Sequence, residues 1–458
     1  MTTEIERTGA GGTEQGAVPD AGVAPGRAAV GASPPVPWQP PPTPGTDLVG
    51  RVEEQAMTLD LWLSDSLGGA GPDDDVRLAR LRGLALAGAA ITLPMSAWKA
   101  VGVLTVADLF LVASVLLFLP RVSIAAVRKL WFPALAVALA AVGGVVGTFV
   151  SGSDVAASGD ILIRFLAASV GALILVSCWR PGLEQVRSFG WLWVAGGVAS
   201  GLVALFIPNL HMFLRPSGLT PHPTHLAIIS VVLLGVALAL IASERERDPS
   251  FGGVRAVAGL AAAGILFAAI VASGSRSGLL AGLLVGFLTL VATRDRTVVR
   301  VAVGLAAVAL VIAVLGVVGQ DNALERAFGG DESSAEQREE FNTAAWERFT
   351  GHPITGVGYG DVTDAHIFLL QFASAAGVLG IVAGLMLVFL ALRTYVVAVW
   401  RRMADDPPRW AMVAGFAAAM IGYLAASIFQ NVLWDRNVWL AIVLMTWLAA
   451  AVPVAARD

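Results

Sequence analysis

The sequence predicts an all-α fold, a polytopic transmembrane helical protein of about twelve membrane-spanning helices with one large outward loop. Three observations carry that expectation. Charged residues make up only 14% of the 458 residues. Mean hydropathy is +0.75, far above the soluble norm. From Leu84 onward the chain falls into apolar runs, most of them near the roughly 17 to 25 residues needed to cross a bilayer core of about 30 Å.

The stretch before those runs is different. Residues 1–76 are rich in Pro, Gly and Ala, include Pro34-Pro35-Val36-Pro37-Trp38, and carry few branched aliphatics. Such a segment cannot bury enough apolar surface to order itself, so it reads as a disordered cytoplasmic tail. It lacks the basic start and short apolar core of a cleavable signal peptide, and the first hydrophobic segment is expected to remain as an anchor. Residues 57–63, Met-Thr-Leu-Asp-Leu-Trp-Leu, suit either an interfacial helix or a transient helical turn. Residues 77–458 form the membrane domain.

The expected spans are 84–98, 103–119, 130–150, 161–178, 190–207, 224–242, 253–273, 277–293, 300–319, 366–391, 410–428 and 437–454. Pro94 and Lys99 shorten the first. Cationic residues in alternate loops set the orientation. Nineteen lie in one set of loops, including Arg77, Arg128, Arg187, Arg247, Arg294, Arg393 and Arg457. Seven lie in the other: Lys99, Arg215, Arg276, Arg326, Arg338, Arg348 and Arg436. The richer set belongs inside, which puts both termini in the cytoplasm.

With that orientation all five histidines, His211, His222, His225, His352 and His366, fall outside or at outward helix ends. The outward loop 320–365, between the ninth and tenth spans, is the largest extramembrane segment after the tail. Within it Phe341, Ala345 and Phe349 recur at i, i+4, i+8 beside Glu339, Glu340, Glu347 and Arg348, the pattern of an amphipathic helix on a membrane surface. One cysteine, Cys178, excludes an intramolecular disulfide and a cysteine-built zinc site. A net charge of −4 without a basic-aromatic stretch argues against nucleic acid as a partner.

Three outward segments bring candidate chemistry to one surface. The first runs from Arg215 through Pro, Ser, Gly, Leu, Thr and Pro to His222, Pro, Thr and His225. The second is the tight turn Ser273-Gly274-Ser275-Arg276-Ser277-Gly278. The third is Gly356-Val357-Gly358-Tyr359-Gly360-Asp361, leading to His366. Arg276 sits in a turn so short that its guanidinium must lie near the lipid headgroups, where small neighbours leave room for an anion. The competing explanation is an arginine that snorkels to a lipid phosphate, and Arg215 shares it. Arg164, one turn after Asp160, suits an i, i+4 ion pair. His366, at a helix start after a loop, can exchange a proton near neutral pH, whereas a lone interfacial histidine is more often structural. Helix capping accounts equally well for His222 and His225. Asp361, Asp364 and His366 are metal-ligand types without an established spacing, and no metal or other cofactor is expected.

These segments, in this order, resemble the O-antigen ligase and polymerase superfamily of bacterial envelope glycosyltransferases over about residues 100 to 430. The resemblance rests on Arg215 with Gly218 and His222-Pro223-Thr224, on Ser273-Gly274-Ser275-Arg276-Ser277, on Arg338 with Trp346, and on His352-Pro353 through Gly356, Gly358, Gly360 and His366. It implies about a dozen helices, a large periplasmic loop, and metal-independent transfer of a glycan from a polyprenyl pyrophosphate carrier to an acceptor hydroxyl on a glycan or lipid. The enzyme would sit in the bacterial plasma membrane and contact its lipids. Arg215 and Arg276 would bind the donor pyrophosphate and His366 would be catalytic, with His222, Arg338 and Arg164 as additional site residues. The chain departs from the family at Thr224, Ile367 and Ala375-Ala376, where Asn, Asn and an acidic residue are usual; acceptor choice is what these positions affect.

A secondary transporter or lipid-glycan flippase is the alternative. Ion-coupled transporters place ionisable groups near the bilayer midplane. Here the span centres carry almost none, and Asp108 is explained by a polar contact near the outer surface.

Overall fold

The computed structural model describes residues 66–68, 75–101, 104–207, 211–212, 215–248, 253–293, 333–360, 365–402, 406–427 and 435–450. All belong to one compact unit, residues 55–458. The expected span 300–319, most of the N-terminal tail, the patch 57–63, and Asp361 with Asp364 lie outside the described residues.

The described helices are α1 (Val76–Thr92), α2 (Val106–Phe118), α3 (Ile124–Lys129), α4 (Trp131–Ser151), α5 (Val155–Trp179), α6 (Leu183–Phe206), α7 (Pro223–Arg247), α8 (Gly253–Ala272), α9 (Arg276–Thr293), α10 (Ser333–Gly351), α11 (Phe368–Arg401), α12 (Pro407–Ala426) and α13 (Arg436–Ala450). Two short antiparallel hairpins interrupt them, Lys99–Val101 with Leu104–Thr105 and His211–Met212 with Arg215–Pro216. Seven of the described helices, α4 to α8, α11 and α12, are long and apolar enough to cross a membrane. The protein is an all-α polytopic membrane protein; α9 and α13 are apolar but shorter.

The first expected span is displaced. Its helix begins at Val76, where the Asp75 carboxylate caps the Arg77 N–H, and it ends at Thr92 before Pro94. The arginines assigned to a loop therefore lie in α1. Arg82 is buried there because its Nε–H donates to the Leu117 carbonyl at 3.0 Å and its guanidinium stacks on Phe118.

Helix α7 is the axis of the bundle, with every residue from Leu226 to Ser243 buried. A helix apolar on all sides has no lipid-facing or water-facing stripe and must be enclosed. Its closest neighbour is α12. A Cβ on Gly415 would stand 2.2 Å from the Ala239 Cβ, and one on Gly235 would stand 2.5 Å from the Ala419 Cβ. Small residues at the crossing let the two backbones approach, which is how helices gain packing energy where no hydrophobic drive exists between them.

Helix α11 is 34 residues long and is broken at Gly377 (φ 59°, ψ −142°), a conformation open only to glycine. The break frees backbone groups that lipid cannot satisfy, so irregular chain must supply partners. Residues 353–358 do so. Val357 N–H donates to Ser374 O at 2.8 Å, Gly358 N–H to Ala375 O at 2.9 Å, and Val378 N–H to Pro353 O at 3.0 Å. Part of the expected outward loop is thus a segment threaded into the bundle. The helix expected around Phe341 is α10, and its buried Ala345 with half-buried Phe341 and Phe349 mark the inner face.

At the end of the bundle away from the histidines, a group of charges is paired. Buried Arg187 contacts Glu184 and Glu244, Arg247 reaches Glu184, and Arg402 pairs with Glu246 while donating to Ala292 O.

Candidate active site

At the histidine end the chain re-enters the bundle three times, and the first two segments meet directly. Arg215 leaves the hairpin after α6, and its Nε–H and Nη2–H donate to the Ser273 carbonyl at 2.8 and 2.6 Å. That carbonyl closes α8, and Gly274 (φ +69°) follows it in the left-handed region. A cation at a helix C-terminus meets both an orphan acceptor and the negative end of the dipole. Arg215 thereby fixes the Ser273–Ser277 turn.

Helix α9 starts from that turn. The Ser275 hydroxyl accepts from Gly278 N–H at 3.2 Å, and its carbonyl accepts from Leu279 N–H at 2.9 Å, an N-cap. Arg276 is the first residue of the helix. Its side chain is half-buried, yet Nε and Nη2 are secluded from solvent and among the described residues no group accepts from them. Secluded guanidinium donors without an acceptor destabilise a fold by a few kcal/mol, so they point to a role outside the fold. The N-terminal dipole of α9 favours negative charge at the same place.

The α9 start packs on the α7 start, since a Cβ on Gly278 would stand 2.7 Å from the Ala227 Cβ. His222 caps α7: its Nδ1 accepts from Thr224 N–H at 3.2 Å. The imidazole pKa is lowered from the usual 6.5, first by burial and then by His225 and Arg215. His222 is therefore a neutral imidazole at pH 7 beside the arginine that orders the turn.

His366 precedes α11. Its backbone N–H donates to Asn342 Oδ1 at 3.0 Å and its ring lies 5.8 Å from that of Phe341, so α10 holds it. Phe368 N–H donates to Ser427 O at 2.9 Å, tying the start of α11 to the end of α12. Gly360 N–H donates to the Ser158 hydroxyl, and the Tyr359 hydroxyl donates to Ala140 O at 3.1 Å. Tyr359 is wholly buried, which pushes its phenol pKa far up and leaves it a structural donor.

The other expected residues are more peripheral. Arg164 forms the i, i+4 ion pair with Asp160, Nη2 to Oδ2 at 2.7 Å, with both side chains about half exposed. Arg338 is half-buried on α10, whereas Trp346 is 56% exposed and packs on Phe349. His352 turns the end of α10, its carbonyl accepting from Gly356 N–H at 2.8 Å. Among the described residues no three His, Cys, Asp or Glu side chains group as metal ligands; Asp361 and Asp364 lie outside them.

Sequence reading missed the contribution of the α13 start. Arg436 pairs with Asp108, Nε to Oδ1 at 2.5 Å and Nη2 to Oδ2 at 2.7 Å, which turns the isolated carboxylate of α2 into half of an ion pair. Asp435 caps Asn437 and lies within Coulombic reach of His225 and Tyr423. Asn437 is buried, its Oδ1 accepting from Trp193 Nε1–H at 2.8 Å. The run Asp435-Arg436-Asn437 opening an apolar span was the available signal. Gln371, buried one turn into α11 with its amide atoms unpartnered among the described residues, carried none.

Residues 261–385 match the O-antigen ligase family. That stretch holds Arg276, Arg338, His352 and His366, and over it the chain is O-antigen ligase-like; Arg164, Arg215 and His222 precede it. No curated protein matches the chain.

Proposed function

We infer that this O-antigen ligase-like chain is a multi-pass glycosyltransferase of the bacterial plasma membrane, moving a glycan from a polyprenyl pyrophosphate carrier to an acceptor hydroxyl at the outer face. The observation that carries this reading is the Arg276 guanidinium, whose secluded Nε and Nη2 donors have no acceptor among the described residues at the dipolar start of α9. Pyrophosphate suits that arrangement. It is already a good leaving group, so what the protein must supply is cationic donors placed where negative charge grows as the glycosidic bond breaks. Arg276 meets the pyrophosphate oxygens directly; Arg215 adds charge beside it and holds the turn through Ser273.

The acceptor hydroxyl gives up a proton as it attacks the anomeric carbon. His366 is the base in this reading, half-buried at the α10–α11 junction. His222, kept neutral by burial and by Arg215, is the second candidate. A single displacement inverts the anomeric configuration. In this reading the two guanidinium groups, and not a metal ion, offset the negative charge that grows on the leaving group.

Proteoliposomes supplied with polyprenyl-linked donor test the reading. Wild-type protein transfers glycan with inversion, and Arg276→Ala and His366→Ala each lose transfer. Full activity in both variants rejects the site. Movement of donor between leaflets without transfer identifies a flippase instead.

A further inference from the structure

The end of the bundle away from Arg276 carries a cavity that the transfer reaction does not use. It encloses about 490 Å³ between the start of α4, the later part of α11 and the end of α13, and it is lined by Lys129, Trp131, Phe132, Phe389, Arg393, Thr394 and Thr446 among others. Trp131 opens α4 and Ser151, which donates to Val357 O in the threaded segment, closes it 20 residues later, about 30 Å away at 1.5 Å per residue. That distance spans a bilayer core, so the cavity and the threaded segment lie toward opposite membrane surfaces.

Charge at this cavity is unbalanced. Several cations of the same end are matched by carboxylates, Arg187 and Arg247 by Glu184 and Arg402 by Glu246. No acidic residue lines the cavity, and among the described residues no carboxylate pairs with Lys129 or Arg393. Lys129 instead stands 5.0 Å over the Trp447 ring. The walls are of a second kind: Trp131 and Phe389 are 59% and 57% exposed, and Phe132 packs on both. Leu390 belongs also to an apolar seam between α11, α12 and α13, lined by Leu387, Ala391, Ile442 and Met445.

We propose that this cavity is a binding site for an anionic phospholipid, with Lys129 and Arg393 holding the phosphate and the aromatic wall and seam taking an acyl chain. Two cations beside apolar walls at the membrane interface match a molecule that is charged at one end and greasy at the other. A soluble phosphate would leave the rings without a partner. A zwitterionic lipid would leave the second cation uncompensated.

The test uses the full chain, purified in neutral detergent and examined by native mass spectrometry and thermal unfolding. Phosphatidylglycerol is the probe, and phosphatidylcholine and inorganic phosphate are the comparison arms. Phosphatidylglycerol should remain bound and raise the unfolding temperature, with affinity at least tenfold above phosphatidylcholine and with no effect of inorganic phosphate. The double variant Lys129→Gln/Arg393→Gln should lose that preference, and Lys129→Arg/Arg393→Lys should restore it. Equal retention of both lipids, or an undiminished preference in the Gln variant, overturns the proposal and leaves cations that contact bulk lipid only. Protection by inorganic phosphate alone overturns the lipid assignment. If the Gln variant does not fold, Phe389→Ala replaces it: a tenfold weaker phosphatidylglycerol complex supports the site, and unchanged affinity rejects it.

Discussion

Both donors on one edge of the Arg215 guanidinium converge on the Ser273 carbonyl, at 2.8 and 2.6 Å, so the last acceptor of one helix is closed by a cation from the preceding hairpin, three residues before Arg276. The order of the turn that carries Arg276 rests on that bond pair. Lysine keeps the charge of arginine but not the fork that reaches one oxygen twice. Arg215→Lys should therefore lower transfer about tenfold, and Arg215→Gln about a hundredfold, with a stability loss of roughly 1–3 kcal/mol for the lost charged hydrogen bonds. Transfer kinetics and thermal unfolding of the two variants check both parts.

Arg276 has the opposite stability sign. Its secluded Nε and Nη2 atoms make no hydrogen bond among the described residues. Arg276→Gln should abolish most transfer, about a hundredfold or more by comparison with lost transition-state donors. It should leave the unfolding temperature unchanged or higher, because an unsatisfied charge is removed. A large stability loss would show that Arg276 serves the fold.

Gly377 tests the threaded segment. A Cβ there would stand 2.3 Å from Ile354 O, on a backbone that side chains avoid. Gly377→Ala should cost about 1–3 kcal/mol or more and loosen the hydrogen bonds at Ser374 and Ala375. Faster amide exchange at Val357 and Gly358 than at α7 residues is the expected signature.

His222 sets a pH dependence. Its folded pKa lies below the unfolded value of 6.5. The folded state therefore binds fewer protons, and this contribution to stability is fully present above pH 6.5 and lost as pH falls through the lower folded value. His222→Asn keeps a good cap and has no proton to take up, so its unfolding temperature should vary less between pH 7.5 and 5 than that of the wild type. An identical pH slope in the two proteins rejects the assignment.

What the sequence determined was set by local composition. Apolar length predicted membrane-spanning helices, and seven of the described ones meet the length and hydropathy required. Residue type and order singled out Arg215, Arg276 and His366, because a planar cation and an imidazole announce their chemistry wherever they stand. The Asp160–Arg164 pair was legible for the same reason, since i, i+4 contact is intrinsic to a helix.

Tertiary structure decided which of those groups touch. Arg215 and Ser273 are 58 residues apart and Asp108 and Arg436 are 328 apart, separations across which helical periodicity carries no information. The break at Gly377 was equally hidden. Glycine is common throughout this chain, and only the residues threaded beside this one show that its neighbours' carbonyls are used elsewhere. Hydropathy measures what a segment prefers as a solvent. The pairing of groups across helices is settled by packing, in a medium where every polar group must find a partner within the protein or in what the protein binds.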